Sequence, residues 1–322
     1  MTTPTVTVLH GGTLPPNMDA IEALARVRTA RPDDLTEGLR GAEVLLAWDF
    51  TTPALSSAWS GADRLRWVHT ASAGVDNVLT PDVMGSDVVV TNSRGVFETP
   101  IAEYVTGVVL MTAKDMIGTW QLQQRREWQH RDTHSVQRRV AVVVGVGPIG
   151  RAVGRMLAAV GLRVRGVGRS HRAHDPDFGE VAPASELGTQ VADADYVVLA
   201  APLTEETRGM VGRRILAAMP AKAVLINVGR GELVVEDDLV QVLRSEGIAG
   251  AALDVFEKEP LPADSPLWTM PQVLVSPHMS ADTIGWRDDL AALFVENLGL
   301  WCAGEPLRNV VDKKLGYVPS TR

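Results

Sequence analysis

The sequence predicts an α/β protein with two lobes, each built on a doubly wound parallel sheet. Its 322 residues are enough for about two domains. Short apolar runs alternate with segments whose apolar residues recur at helical spacing, a pattern typical of parallel strands joined by helices. The runs form two series, one before and one after a helical segment at residues 99–120, so we expect one sheet in each part.

The first series contains four predicted strands and one predicted helix. The helix is IEALARVR, residues 21–28, between the first two strands. The strands are TVTVLH (5–10), EVLLAW (43–48), LRWVHTA (65–71) and DVVVTN (87–92).

Residues 99–120 are predicted to form one long connecting helix. Thr99 is a suitable cap, Pro100 occupies the first helical position, and apolar side chains follow at helical spacing. The next segment, residues 121–139, is polar and basic, and we interpret it as an exposed arm without chemistry.

The second series begins at Arg139 and contains six predicted strands, the number in a complete dinucleotide-binding sheet. They are RVAVVVG, RVRGVG, DYVVLAAP, AVLINVG, GAALDVF and VLVSPH. A last helix is predicted from Asp282 to about Cys302.

Composition limits the partners of the chain. Apolar residues make up 45% and charged residues 22%, and the net charge is −8. A negative chain lacks the clustered positive charge that binds nucleic acid or an anionic membrane surface, so we expect neither partner. We also expect no metal site. The single cysteine, Cys302, forms no internal disulfide, and no leader or membrane span is evident. We therefore expect a cytoplasmic protein that binds small molecules.

The motif GVGPIG follows the first strand of the second series and opens a helix. Each glycine has a physical role: Gly145 permits a tight turn, Gly147 lets the backbone approach a pyrophosphate, and Gly150 lets the helix pack on the strand. Pro148 and Ile149 complete the loop. A glycine-rich turn without a nucleotide is the alternative, but the strand before and the helix after favour a dinucleotide site.

Three further segments, NVGRGELV, LDVFEKEPL and SPHMS, each begin where a predicted strand ends. Ligands of open α/β sheets bind at the carboxyl ends of the strands, so Arg230, Glu259 and His278 are expected in one crevice. A guanidinium binds a carboxylate, a histidine transfers a proton near neutral pH, and a neighbouring carboxylate orients the histidine and stabilises its charged form. Taken singly, each residue also fits an ordinary surface or packing role.

The motifs GVGPIG, NVGRGELV, LDVFEKEP and SPH, in this order, together with HTASAGVDN and AAPLTEETRG, resemble the D-isomer-specific 2-hydroxyacid dehydrogenase family. The resemblance implies that Arg230, Glu259 and His278 form the catalytic set. It also implies that the backbone of Ala73 and Gly74 holds a substrate carboxylate, and that Asp254 lies beside the nicotinamide.

The resemblance further implies a domain plan. Residues 1–98 with 293–322 form a discontinuous substrate domain, residues 99–292 form the dinucleotide-binding domain, and the active site lies in the interlobe cleft. The remaining cofactor contacts that it implies are Ala201, Pro202, Thr207, Val228, Gly229 and Ser280.

The stretch VRGVGRSHR bears on the choice of cofactor. NAD-preferring members of the family carry an acid after the second strand, where Gly168 is followed by Arg169 and Ser170, with Arg172 close behind. A guanidinium and a hydroxyl suit a 2′-phosphate. The nearby Asp175 and Asp177 lie beyond the strand end, so we expect NADP(H) to be preferred over NAD(H).

The substrate stays open at this point. Trp48, Phe50 and Trp286 either line the substrate pocket, which would favour a bulky or apolar 2-oxoacid, or pack inside a lobe. Glyoxylate and hydroxypyruvate are equally open candidates. The chain has Met279, Ser280 and Ala281 after His278, where many members have glycine, and we expect catalysis to persist.

Other functions on this scaffold are also considered. Formate enzymes carry Gln in place of Glu259, which counts against that activity, whereas phosphite oxidation shares the Arg/Glu/His set and stays open. A non-catalytic, nucleotide-sensing corepressor is a further alternative. Family members commonly dimerise through the cofactor lobe, so we expect a homodimer that uses the long helix and the arm at residues 120–139.

Overall fold

The computed structural model describes residues 3–319. The chain separates into two compact units: Met1–Phe97 with Thr283–Arg322 forms the first, and Glu98–Asp282 forms the second. Their strands are β1 (Thr5–Leu9), β2 (Arg26–Ala30), β3 (Val44–Ala47), β4 (Trp67–Thr70), β5 (Val89–Asn92), β6 (Val140–Val144), β7 (Arg163–Gly168), β8 (Arg172–Asp175), β9 (Gly179–Pro183), β10 (Tyr196–Leu199), β11 (Val224–Asn227), β12 (Gly250–Leu253) and β13 (Val273–Val275).

The helices are α1 (Met18–Glu22), α2 (Leu35–Leu39), α3 (Ala54–Ala58), α4 (Pro81–Met84), α5 (Glu98–Ala113), α6 (Met116–Arg125), α7 (Pro148–Ala159), α8 (Leu187–Val191), α9 (Arg213–Ala218), α10 (Glu236–Arg244) and α11 (Trp286–Ala303). Short 3₁₀ helices lie at Pro32–Asp34, Trp59–Gly61, Ala184–Glu186, Gly231–Leu233 and Pro266–Thr269. Among the described residues, no helix is both long and apolar enough to cross a membrane.

The first unit contains a parallel sheet in the order β2-β1-β3-β4-β5. This is the flavodoxin-like order of a doubly wound sheet. The residues of β3 and β4 are all buried, because helices cover both faces of such a sheet. The register aligns β3 and β4 with Ala47 opposite Thr70, so the loops that follow these strands leave from the same edge.

The second unit contains a larger sheet in the order β13-β12-β11-β10-β6-β7-β9-β8. The five residues of β6, VAVVV, are all buried, as expected for a central strand of a parallel sheet. The chain moves outward from β6 to β7 and β9 on one side, and to β10, β11, β12 and β13 on the other. This is the Rossmann order, and ligands bind at its switch point, outside the carboxyl ends of β6 and β10. The predicted fold class is confirmed.

Three strands were not expected from the sequence, and each lies near a sheet edge. The helix predicted at residues 21–28 is wrong: α1 ends at Glu22, and β2 pairs with β1 with Arg26 opposite Thr5. The apolar spacing fits a helix, but the mostly exposed β2 gains its hydrogen bonds from a strand distant in sequence. In the second sheet β9 pairs with β7 and β8 with β9, so the six predicted strands are not the complete sheet.

The single helix predicted at residues 99–120 is two helices. Asp115 separates α5 from α6 with a left-handed backbone (φ 44°), and its side chain accepts a hydrogen bond from the Gly118 amide. The capping bond stabilises the break, because it satisfies an amide at the start of α6. Beyond α6, residues 127–136 have no helix or strand, and Trp128 is fully exposed, as expected for an arm.

The last helix belongs wholly to the first unit. It was predicted from Asp282, whereas α11 begins at Trp286 after Gly285, whose φ is 90°. The predicted domain boundary between residues 292 and 293 would cut through α11, while the first unit resumes at Thr283. The reason is packing: Phe294 of α11 is fully buried and stacks on Trp67 of β4, 5.4 Å between ring centroids.

Candidate active site

The glycine-rich loop joins β6 to α7 and has the shape that a phosphate requires. A Cβ at Gly145, whose φ is 101°, would lie 2.5 Å from the Ala201 nitrogen, and a Cβ at Gly150 would overlap the Gly145 carbonyl oxygen. A Cβ at Gly147 would meet open space, so this glycine leaves room beside the helix N-terminus. Pro148 begins α7, whose first amides have no acceptor within the helix. The loop therefore fits a bound pyrophosphate.

One other predicted cofactor segment packs on this loop, and a second packs on the first. Ala201 and Pro202 follow β10, and the Thr207 hydroxyl donates to the Pro202 carbonyl oxygen at 2.7 Å, which closes that turn. Val228 and Gly229 follow β11, and a Cβ at Gly229 would lie 3.0 Å from the Ala201 carbonyl oxygen. The structure thus brings the ends of β6, β10 and β11 together.

Arg169, Ser170 and Arg172 lie just beyond the end of β7, and all three are exposed. Arg172 opens β8, opposite Val181 of β9. Its guanidinium makes a long contact of 3.5 Å with the Asp175 carboxylate. This exposed group carries two cations and a hydroxyl beside the β7 end, and it is suited to an anion.

Glu259 and His278 form a direct pair. The Glu259 Oε2 atom is 2.7 Å from His278 Nδ1, while Oε1 accepts a hydrogen bond from the Phe256 amide at 3.0 Å. Burial would raise the pKa of Glu259, but the bond to His278, the charges of His278 and Arg230, and the Phe256 amide outweigh it and lower that pKa. A carboxylate only accepts, so Nδ1 of His278 carries a proton and Nε2 is the atom left for chemistry.

Arg230 follows β11 and lies beside the Glu259 segment. Its guanidinium donates to the Gly229 carbonyl oxygen at 2.8 Å, and its charge lowers the pKa of Glu259. The next residue, Gly231, packs so closely on Phe256 that a Cβ there would overlap the Phe256 backbone. The structure therefore brings Arg230, Glu259 and His278 to one edge of the second sheet.

Asp254 builds the turn that carries His278. It is 1% exposed, its Oδ1 accepts from the Met279 amide at 3.0 Å and its Oδ2 from the Ser280 amide at 2.9 Å. Its carbonyl oxygen accepts from the His278 amide at 2.8 Å. His278 has a left-handed backbone (φ 52°), which is uncommon outside glycine, and these bonds offset the cost.

Sequence reasoning did not predict two residues that support this turn, Ser276 and Tyr104. Ser276 donates to Asp254 Oδ1 at 2.6 Å, and the Tyr104 hydroxyl of α5 lies 2.6 Å from the Ser276 hydroxyl. Burial raises the pKa of Tyr104, the Asp254 charge adds to this, and the Ser276 bond opposes it. Ser276 lies within the SPH motif and was within reach of sequence reasoning, whereas nothing in the sequence connects Tyr104 to a residue 172 positions away.

Ala73 and Gly74 lie in the first unit, in the loop after β4. The Asn92 amide group donates to the Ala73 carbonyl oxygen at 2.6 Å, and the Ser72 hydroxyl donates to the Gly74 carbonyl oxygen at 2.6 Å. Within residues 3–319, the backbone amides of Ala73 and Gly74 donate no hydrogen bond. The loop therefore holds two amides ready for an external acceptor.

Trp48 and Trp286 are buried in the first unit, 7% and 8% exposed. The Trp286 ring packs edge-on against Phe50 and is tilted against Phe97, with 6.3 Å between the ring centroids in each pair. This burial favours the interpretation that these aromatic side chains pack inside a lobe and do not line the substrate pocket. The choice between a bulky and a small substrate gains no support from these side chains.

Known proteins resemble the chain over most of its length. Residues 106–280 match the family described as D-isomer specific 2-hydroxyacid dehydrogenase, NAD binding domain. A glyoxylate reductase of Thermococcus gammatolerans is 32% identical over 268 residues, 80% of this chain and 79% of that protein. A glyoxylate/hydroxypyruvate reductase B of Pectobacterium carotovorum is 34% identical over 263 residues, 79% of this chain and 81% of that protein.

A solved structure gives the same match in three dimensions. It is the NADPH-dependent glyoxylate/hydroxypyruvate reductase of Sinorhizobium meliloti in complex with NADP and sulfate. It is 30% identical, aligns with a TM-score of 0.81, and covers 98% of this chain and 100% of that one.

Proposed function

Because this chain belongs to the D-isomer-specific 2-hydroxyacid dehydrogenase family, we propose that it is an NAD(P)-dependent oxidoreductase that interconverts a small 2-oxoacid and its 2-hydroxyacid. The observation that carries the proposal is the 2.7 Å pair between Glu259 and His278, at the sheet edge that also bears Arg230 and the phosphate loop. A histidine with a fixed carboxylate partner is a proton donor and acceptor, which the reduction of a carbonyl group needs.

The proposed roles follow from the chemistry of each side chain. The reduced nicotinamide supplies a hydride when it is bound. His278 gives a proton from Nε2 to the carbonyl oxygen of the 2-oxoacid and becomes neutral. Glu259 accepts a hydrogen bond from Nδ1 and stabilises the positive charge that the ring carries before this transfer. In the oxidative direction His278 takes the proton back.

Arg230 and the amides of Ala73 and Gly74 are proposed to bind the carboxylate of the substrate. A guanidinium binds a carboxylate through two parallel hydrogen bonds, which fix the direction of the keto group. The resemblance of SAGVD and NVGRG to the family motifs supports this role, as do the unbonded amides of the first-unit loop.

NADP(H) is the proposed preferred cofactor. Arg169, Ser170 and Arg172 follow β7 without an acid, and two guanidinium groups with a hydroxyl suit a 2′-phosphate. The Sinorhizobium meliloti relative binds NADP, which supports the proposal. Gly145, Gly147 and the first turn of α7 would hold the pyrophosphate.

The substrate class is proposed to be small 2-oxoacids. Glyoxylate and hydroxypyruvate are the leading members, because the Thermococcus gammatolerans relative is named for glyoxylate and the Pectobacterium carotovorum relative for both. Steady-state kinetics with NADPH and NADH over glyoxylate, hydroxypyruvate, pyruvate, phenylpyruvate and branched 2-oxoacids test cofactor and substrate together. We expect higher kcat/KM with NADPH and with the two small oxoacids. Higher efficiency with NADH would overturn the cofactor proposal, and no turnover over the whole panel would overturn the enzymatic one.

We also propose that the protein is a cytoplasmic homodimer. Apolar side chains are exposed on α6 and the following arm, with Met116 57%, Trp120 60% and Trp128 102% exposed, which is unusual for a free surface. Light scattering after size exclusion should give twice the mass of one chain, 34.6 kDa. A monomer at the concentrations used for catalysis would contradict the proposal.

A further inference from the structure

Arg151 links the helix that follows the phosphate loop to the hairpin β8–β9. It lies in the first turn of α7, and its two terminal nitrogens contact Asp175 at 2.8 Å and 2.7 Å. One of these nitrogens also contacts Asp177 at 2.6 Å. The Asp175 side chain is 2% exposed and that of Arg151 is 20% exposed, so this is a shielded two-pronged ion pair.

Asp175 has little capacity left for other partners. Its Oδ1 also accepts from the amides of Asp177 at 3.1 Å and Phe178 at 3.3 Å. Arg151 with these amides holds the pKa of Asp175 at about 2, so its negative charge is present at any working pH. The charge is therefore balanced by a partner and not by protonation.

Arg172 is the other cation near this acid, and it is only loosely held. Its guanidinium reaches Asp175 at 3.5 Å and is 46% exposed. Arg151 contacts Asp175 at 2.7 Å and 2.8 Å, so Arg151 is the main ion-pair partner of Asp175. Arg172 is thereby left available to a ligand in solution.

The hairpin itself rests on α7 beside this ion pair. The Phe178 ring packs on Gly154 of α7 and on Gly166 of β7, where a Cβ would lie 2.7 Å and 2.8 Å from its atoms. β9 in turn pairs with the end of β7, Gly168 opposite Pro183. The position of β8, and so of Arg172, depends on the contact between α7 and the hairpin.

We propose that Arg151 determines the preference for a 2′-phosphate: it sequesters Asp175 and thereby keeps Arg172 free and the electrostatic potential beside Arg169 positive. The inference rests on the proposed use of NADP(H) and adds a positioning residue to it. Without Arg151, the Asp175 carboxylate would lose its short-range partner, so its negative charge would attract Arg172 and repel a phosphate dianion.

The test measures the dissociation constants of NADP⁺ and NAD⁺ by calorimetry on cofactor-free protein, with thermal unfolding of the same samples. For Arg151→Met we expect the NADP⁺ constant to rise about tenfold relative to that of NAD⁺. The double variant Arg151→Met/Asp175→Asn removes both charges and should return the ratio of the two constants toward the wild-type value. Arg155→Met is the matched control, since Arg155 lies one turn further along α7 and contacts Asp177 only at 3.2 Å.

Two results would overturn the inference. If Arg151→Met weakens both nucleotides by the same factor, Arg151 only supports the fold; if the double variant keeps the full loss for NADP⁺, the charge of Asp175 is not the cause. If Arg151→Met does not fold, the single variant Asp175→Asn is the test. NADP⁺ binding at least as tight as in the wild type supports the inference. Weaker NADP⁺ binding with unchanged NAD⁺ binding refutes it. If the wild-type protein binds NAD⁺ more tightly than NADP⁺, the proposed cofactor preference is wrong. The role of Arg151 is then still tested by the change in the ratio of the two dissociation constants on substitution.

Discussion

His69 and His278 are the same residue type in opposite surroundings. His69 lies in β4, fully buried between Trp67 and Phe294, with Nδ1 2.8 Å from the Thr91 hydroxyl. Burial lowers the pKa of His69 from 6.5 to about 3, so it is a neutral core residue. The side chain of His278 is 47% exposed and faces a carboxylate. A histidine serves proton transfer where an acid faces it at an accessible edge, and serves packing where neutral hydroxyls surround it.

Removal of the His278 ring gives the largest expected effect. In His278→Ala, kcat should fall by about 10²- to 10⁴-fold, the usual contribution of a general acid, while the dissociation constant of NADPH stays unchanged. Stopped-flow reduction of the 2-oxoacid and fluorescence titration of the cofactor measure the two quantities. His130→Ala, at an exposed position of the arm, is the control. Undiminished turnover in His278→Ala would remove His278 from the mechanism.

Loss of the charge opposite His278 gives the next effect. Glu259→Gln replaces a carboxylate by an amide of the same size, and a hydrogen bond to a charged group is worth about 1.5–3 kcal/mol, so kcat should fall roughly 10- to 100-fold. Glu257→Gln, two residues earlier and exposed, should retain wild-type kinetics. Equal kinetics in both variants would mean that the 2.7 Å pair does not assist catalysis.

His69 predicts a pH dependence of stability. Between pH 6.5 and about 3 the unfolded chain binds a proton at this residue that the folded protein does not bind. The free energy of unfolding should therefore fall as the pH falls through this window, by at most about 1.4 kcal/mol per pH unit from this group. Urea unfolding at several pH values measures the slope. His69→Gln should flatten it relative to His130→Ala, and a slope that is equal in the two variants would contradict the assignment.

The smallest effect concerns the loop after β4. Ser72→Ala removes the 2.6 Å bond to the Gly74 carbonyl oxygen, worth about 1 kcal/mol, so KM for the 2-oxoacid should rise about fivefold with kcat nearly unchanged. Ser57→Ala, on the exposed end of α3, is the control. An unchanged KM would argue against a role of the Ala73 and Gly74 amides in binding the carboxylate.

Strongly patterned segments were predicted well from the sequence. The runs VAVVV, YVVL and VLIN are buried strands because a continuous apolar run has few other solutions in a parallel sheet. The edge strands β2 and β8, and β9 beside β8, were missed from the sequence. Their segments RVRTA, RAHD and GEVAP carry charges and small residues and form strands only through their neighbours. The break at Asp115 was missed for a similar reason, because one left-handed residue leaves no trace in apolar spacing.

At the site, the sequence alone established the residue types and their order along the chain: the phosphate loop, Arg230, Glu259, His278 and the lack of an acid after β7. Their partners came from the tertiary structure, which pairs Asp175 with Arg151, Tyr104 with Ser276, and His69 with a buried hydroxyl. The physical reason is the range of each effect. Periodicity and turn chemistry act between neighbours in sequence, whereas charge neutralisation and desolvation depend on distances in space, which only packing of the whole chain sets.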